Sequence, residues 1–559
     1  MSLMNQLMVM PIMLPLLTAA LMLMLGEKHR PLKRRLNLLS SLVGLGIAVT
    51  LLLWVRSQGQ AASIGVYLPG NWPAPFGIVL VVDHLSALML VLTGIIGVCA
   101  LLFARARWDS AGASFHALFQ VQLMGLYGAF LTGDLFNLFV FFEVLLAASY
   151  GLLLHGSGRA RVKAGLHYIA INLFASSLFL IGAAMLYGVT GTLNMADLAL
   201  KIPLVPEADR GLLHAGAAIL ATAFLVKAGI WPLNFWLVPA YASASAPVAA
   251  LFAIMTKVGF YAMLRLWTLL FSGQAGASAF FGGQWLVYGG LATLTIAAVS
   301  LLAAQRLERM AALSILMSAG TLMAAIGFGQ PMLTGAALFY LVTSSLALCA
   351  LFLLAELIER SRSANEAPLD DEGDGMPPPL ESLHPPKGIN LDDEQKAVIG
   401  QVIPWTMAFL GLSFIACALL IIGMPPLSGF IGKLNLISAL FNPLGLGVTP
   451  EQPLSATGWT LVALLIFSGL ASLIALGRVG IQRFWKPEER PSPVLRRYEC
   501  LPIVILLGLC LILSLKAEPL LRYTQDTAAS LQTPEAYIEA VLGSRPVPGP
   551  TTLNAQVQP

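Results

Sequence analysis

One glutamate and three lysines stand inside apolar stretches of this sequence. Glu143 lies in TGDLFNLFVFFEVLLAASY (132 to 150), Lys227 in FLVKAGIWPLNFWLVP, Lys257 in APVAALFAIMTKVGFYAMLR (246 to 265) and Lys433 in GFIGKLNL. Nine residues separate Asp134 from Glu143. At about 1.5 Å per helical residue this sets the carboxylate roughly 14 Å in, near the middle of a ~30 Å hydrocarbon core. Lys257 lies about eleven residues into its own stretch, at similar depth. Ionisable groups there are costly to keep, so they point to function before decoration. In water a lysine holds its proton too tightly, with a pKa of about 10.4, to relay it at neutral pH; burial loosens that hold and a nearby carboxylate restores it. Glu143 facing Lys227 would therefore set the lysine's grip by distance. The plainer alternative for each group is a static interhelical ion pair or a satisfied polar anchor.

Asn137, Ser176, Ser177, Asn234, Thr256, Ser318 and Ser344 are placed in sequence to hold water between these groups. Asp83 and His84 suit either an outer mouth or an interfacial anchor, and Asp134 either caps a helix or draws cations. His167, His214 and Arg265 fall nearer the membrane interfaces and are secondary candidates, while His116 and His155 read as interfacial. No metal or cofactor site is expected. The five cysteines, at 99, 349, 417, 500 and 510, contain no CxxC pair and suggest neither a disulfide framework nor a zinc site.

The elements that must position these groups are set by composition. Of 559 residues, 57% are hydrophobic and 11% charged, against roughly 25% charged in soluble proteins, which indicates an all-α polytopic membrane protein. Fourteen apolar spans are predicted, near 5 to 25, 36 to 55, 78 to 104, 113 to 132, 134 to 155, 164 to 189, 212 to 237, 245 to 272, 284 to 304, 308 to 328, 332 to 358, 402 to 442, 457 to 476 and 501 to 516. The first lacks a basic n-region and a small-residue cleavage site, so it reads as a retained helix. Alternate loops, beginning with GEKHRPLKRR (26 to 35), carry 22 of the 32 basic residues. By the positive-inside rule that side is cytoplasmic and both termini are outside. The net charge of +4 then reflects topology and implies no nucleic-acid partner.

Two spans are interrupted, the seventh at KAGIWPLNFWLVP (227 to 239) and the twelfth at GMPPLSG (423 to 429). Broken helices at corresponding places in two halves point to an inverted repeat with a transport site between them. Residues 1–112 then form three leading helices, 113–272 and 284–476 two inverted five-helix repeats, 477–516 the last loop and helix, and 517–559 an external tail. Prolines that only kink helices for packing are the alternative. The loop 359–401 is acidic and Pro-rich, read as a solvated tether; Asp370, Asp374, Gly375 and Glu381 imitate a calcium loop, but Glu372 and the prolines at 377 to 379 break the pattern. Thr533 and Gly543 are read as the N-cap and C′ residue of a short outer helix, one placed to meet a partner.

TGDLFNLFVFFEVLLAASY, FLVKAGIWPLNFWLVPAYASASAPVAALFAIMTKVGFYAMLR and GMPPLSGFIGKLNLI together resemble the antiporter-like subunits shared by respiratory complex I and the multisubunit Mrp (Pha) cation/proton antiporters. The resemblance covers nearly the whole transmembrane chain. Within that family the sequence is more similar to the Mrp D subunits: complex I relatives usually carry a proline after the span-five glutamate and a histidine after the WLP motif, where this chain has LLAASY and Tyr241. The resemblance implies fourteen spans around a hydrated axis and proton-path roles for Glu143, Lys227, Lys257 and Lys433. It further implies other antiporter subunits as partners, a bacterial inner membrane, and exchange of H+ for Na+, K+ or Li+. Ser344 and Leu348 depart from a His and a Lys four apart in many relatives, so hydroxyls or water must join the two halves. A proton-pumping subunit of a redox complex and a non-conducting scaffold remain as rival readings.

Overall fold

The computed structural model describes residues 3–26, 29–58, 64–112, 114–363, 404–445, 453–485 and 494–547; the calcium-like stretch at 370–381 lies outside them. The chain is a multi-pass membrane protein. Thirteen helices are long and apolar enough to cross a membrane: α1 (Leu3–Met24), α2 (Arg30–Ser57), α3 (His84–Ala104), α5 (Leu135–Leu154), α6 (Arg159–Thr190), α8 (Glu207–Ala228), α10 (Ala246–Leu270), α11 (Gly283–Ala303), α12 (Leu307–Gly327), α13 (Pro331–Ser363), α14 (Trp405–Ile422), α16 (Ala456–Gly480) and α17 (Arg497–Leu515). The 17-residue α4 (Phe115–Leu131) is the remaining expected span. Shorter helices are α7 (Met195–Lys201), α9 (Leu237–Ser243), α15 (Ser428–Phe441), α18 (Glu518–Leu531) and α19 (Pro534–Leu542).

Apolar all round, α10, α12 and α13 are buried along nearly their whole length and form the centre of the bundle. α17 instead leaves Leu501, Val504, Leu511 and Ile512 exposed, as a lipid-facing helix does. Lys257 sits on one of these central helices, which is why depth and burial coincide for it.

Both interruptions are present and built alike. α8 ends at Gly229 (φ +70°) and α14 at Gly423 (φ +82°), left-handed positions that favour glycine. In each case a cis-proline follows three residues later, Pro232 and Pro426. The freed backbone donors find hydroxyls on distant helices. Trp231 N–H donates to Thr293 Oγ1 on α11 at 2.8 Å, and Ser428 N–H to Ser514 Oγ on α17 at 2.7 Å. In hydrocarbon such partners are required, since water is absent.

Three local expectations change. Residues 80–82 form a strand, β2 (Leu80–Val82), paired antiparallel with β1 (Gly65–Tyr67), so the third helix begins only at His84; the valine run suits a buried strand as well as a helix. α18 falls outside the predicted spans, because its polar, strongly two-sided sequence carries no transmembrane signal. α19 does form, but Thr533 provides no side-chain cap, Gly543 has φ −77°, and the helix packs on α7 of its own chain.

Candidate functional site

Glu143, on α5, is half-buried and accepts a hydrogen bond from Ser176 Oγ on α6. Lys227, in the last turn of α8, sits with Nζ 5.7 Å from the centre of the Phe142 ring. No ion pair joins the two among the described residues, although Phe142, the neighbour of Glu143, lies beside the Lys227 amine. Beside them runs a polar ladder of which sequence reading gives only Ser176. Tyr168, Asn172 and Ser176 fall at i, i+4 and i+8 on α6 and so share one face. Ser176 Oγ is 3.0 Å from Asn172 O, Asn172 Nδ2 donates to Tyr168 O at 2.9 Å, and Tyr168 OH meets Ser149 Oγ at 2.5 Å. Asn172, Tyr168 and Lys227 line one small cavity with about 20 Å³ for water centres, roughly one molecule's worth. The signal was available: polar residues every fourth position in an otherwise apolar helix.

Gly259 lets α10 approach the end of α8. A Cβ there would lie 2.7 Å from Ala228 N and 2.9 Å from Phe224 O, closer than side chains allow, so a small residue is needed at this crossing. Two residues earlier, Lys257 is 1% exposed and donates to Ser318 Oγ on α12 at 2.8 Å. Ser318 Oγ is 3.2 Å from Ser344 Oγ on α13. The position that departs from many relatives is therefore in hydrogen-bonded contact with Lys257 through one serine.

Beyond Ser344 the direct bonds stop, but packing continues. α13 lies against α15 at Gly432, where a Cβ would stand 3.4 Å from Thr343 Oγ1 and from Tyr340 Cα. The next residue, Lys433, is 9% exposed and donates to Ile422 O, the last carbonyl of α14, at 2.9 Å. A half-helix C-terminus carries negative partial charge and suits a cation. Charged and hydroxyl groups thus occur on α5, α6, α8, α10, α12, α13 and α15 in separate hydrogen-bonded sets, Glu143 with Ser176, Lys257 with Ser318 and Ser344, and Lys433 with Ile422 O.

The secondary candidates separate from this line. Arg265 forms a two-pronged ion pair with Asp83, at 2.6 and 2.7 Å, and stacks over Tyr261 and Tyr537. Asp83 also caps α3 through Ser86. Burial would raise the Asp83 carboxyl, but the Arg265 guanidinium and the Ser86 hydrogen bonds together outweigh this and hold it below the usual carboxylate range. The group is an anchor. His84 packs at a tilt against Tyr523, whose hydroxyl donates to the His84 carbonyl. Asp134 caps α5 by accepting from Asn137 N. His214 packs on Phe281 and meets Ser278, at the far end of α8 from Lys227. Of the expected water-holding residues, Ser177 instead faces outward, its hydroxyl turned to Leu173 O, and Asn137 bonds Thr132. His116, in the first turn of α4, is buried against Asn37, and exposed His167 bonds the Lys163 carbonyl of its own helix. Among the described residues no cluster of three or more His, Cys, Asp or Glu is placed to hold a metal.

Residues 132–445 match the family described as NADH:quinone oxidoreductase/Mrp antiporter, TM. The sequence is 50% identical, over 97% of this chain and 98% of the relative, to a probable K(+)/H(+) antiporter D subunit of Rhizobium meliloti (strain 1021). It is 33% identical, over 96% of this chain and 100% of the relative, to the Na(+)/H(+) antiporter D subunit of Alkalihalophilus pseudofirmus. The fold matches a chain of the Mrp complex from Dietzia sp. DQ12-45-1b with a TM-score of 0.76 and 25% identity, covering 97% of this chain and 100% of that one. The chain belongs to the NADH:quinone oxidoreductase/Mrp antiporter membrane family, with antiporter D subunits among its relatives.

Proposed function

We propose that this chain is the proton-handling subunit of a multisubunit monovalent cation/proton antiporter, exchanging H+ for Na+, K+ or Li+ across a bacterial inner membrane. The observation that carries the reading is the set of half-buried Glu143 and Lys227 and buried Lys257 and Lys433, with Ser176, Ser318 and Ser344 bonded among them and a water-sized cavity beside Lys227. The names of the D-subunit relatives support the exchange and the need for other subunits. In this reading the chain is a transporter subunit and carries no redox chemistry of its own.

The two matching breaks support inverted repeats over 113–272 and 284–476, and the basic loops support outward termini. Glu143 would be the charge that approaches or leaves Lys227, so that the lysine takes a proton in one state and yields it in the other. The hydroxyls of Ser318 and Ser344 would carry the proton on from Lys257, each accepting one hydrogen as it donates another.

The test is cation-dependent proton movement in inside-out vesicles carrying the intact complex, with Glu143→Gln and Lys227→Ala compared to wild type. Both variants should assemble and lose exchange. Normal exchange by assembled variants would reject the assignment and favour a scaffold.

A further inference from the structure

At the end of the bundle that bears most basic residues, a crevice of about 1370 Å³ opens between α6 and α9 on one side and α11 and α12 on the other. It lies apart from the Glu143 to Lys433 row. We propose that it binds the headgroup of an anionic phospholipid, with the lipid's chain running along its inner wall.

Charge defines its rim. Seven arginines and lysines line the crevice against three carboxylates. Of these, Arg159 and Lys163 at the start of α6 and Arg309 at the start of α12 are exposed. None of the three has a side-chain hydrogen bond or ion pair among the described residues. The carboxylates are largely engaged by the protein itself. Glu356 accepts from Trp108 Nε1 and Ala246 N and Glu359 from Arg483, while Glu308, 3.9 Å from Arg306, keeps one buried oxygen without a hydrogen-bond partner. With seven cations against three carboxylates the lining is net positive, and arginine forks match phosphate oxygens.

The wall below the rim is apolar, formed by Val238, Ala249, Ile296, Ala297, Leu313 and Leu316. A soluble anion would make no use of that surface, whereas a lipid needs both parts. Tyr241 and Ser245 also line the crevice, and their hydroxyls have no hydrogen-bond partner among the described residues, although the residues are 0% and 1% exposed. Buried hydroxyls left unpaired ask for a ligand oxygen. Basic pockets between transmembrane helices on the basic-loop side bind such headgroups elsewhere.

The experiment uses the intact complex in phosphatidylcholine vesicles containing a minor fraction of phosphatidylglycerol with a photoactivatable acyl chain. A parallel sample carries the same chain on phosphatidylcholine. Phosphatidylglycerol should label peptides from 158–168 and 296–316. Phosphatidylcholine, and the combined Arg159→Gln, Lys163→Gln, Arg309→Gln variant, should reduce that label roughly tenfold or more. Tyr241→Phe should lower it less, leaving the rim charge intact.

Equal labelling by both lipids, or an unchanged signal in the triple variant, would overturn the proposal. So would label lost to added inorganic phosphate, which would mean a soluble anion site, or crosslinking of another subunit across the crevice. Should the triple variant fail to assemble, the two-lipid comparison in the wild-type complex decides alone.

Discussion

Ser318→Ala isolates one step of the proposed relay. The Lys257 side chain is 1% exposed, and its amine donates to Ser318 Oγ at 2.8 Å, so bulk water cannot replace a lost hydroxyl. A hydrogen bond to an ionised group is worth ~1.5–3 kcal/mol, and each 1.4 kcal/mol is tenfold. Removing it should slow exchange by roughly 10- to 150-fold if protonated Lys257 is an obligatory intermediate. Ser344→Ala should act in the same direction but less, because Ser344 touches Lys257 only through Ser318. Ser318→Thr keeps the hydroxyl and should recover much of the loss. The assay is the initial rate of pH change on adding Na+ or K+ to vesicles, normalised to assembled complex. An alanine variant that assembles and stays within about twofold of wild type would refute the reasoning, since a static anchor would cost stability and not rate.

Ser176→Ala removes the group that competes with Lys227 for Glu143; the carboxylate should then favour the lysine, slowing proton release, and the exchange rate should shift to higher pH in a rate profile. Thr293→Val strands the Trp231 N–H beside the first break, costing ~1–3 kcal/mol, which should register as a lower melting temperature of the purified complex. Arg265→Ala leaves Asp83 buried without its partner at ~3–5 kcal/mol, whereas Arg265→Ala with Asp83→Asn should recover part of the loss in the same measurement. Because Asp83 is held below the ordinary carboxylate range, the pair's contribution is present above about pH 4 and is lost as pH falls further.

Much of this was legible because hydrocarbon is an unforgiving solvent. A charge inside a 20-residue apolar run announces itself, and Glu143, Lys227, Lys257 and Lys433 stand out in the sequence by spacing alone. Pro232 and Pro426 announced the breaks by the donors they remove. Tyr168 and Asn172 escaped because tyrosine and asparagine are ordinary helix-packing residues; only the register of α6 against α5 and α8 turns them toward Glu143 and Lys227. The pairing of Asp83 with Arg265, 182 residues apart, depends on the α3 and α10 crossing, and no local pattern encodes it. Residues 80–82 read as helix because apolar runs of that length fit both forms, and α18 leaves no trace in hydropathy because its stability comes from lying on α13.

The packing at the breaks limits how any switch here can work. A Cβ on Gly259 would stand 2.7 Å from Ala228 N, and one on Gly429 would overlap Leu420 O, so backbone meets backbone beside Lys227 and near Lys433. Helices in such contact cannot slide by a turn without opening voids or clashes. The Trp231 and Ser428 donors, tied to Thr293 and Ser514, restrain the same segments further. What can move is small: the Glu143 carboxylate, held on one side by a single serine, and a water in the 20 Å³ beside Lys227. Lys433 differs, since its partner is a fixed backbone carbonyl that cannot approach or retreat. The first half therefore holds a movable counter-charge and the second a constant one. In the proposed relay that asymmetry would let the Glu143 side chain set the proton hold of Lys227, while Lys433 would keep a fixed dipole beside it.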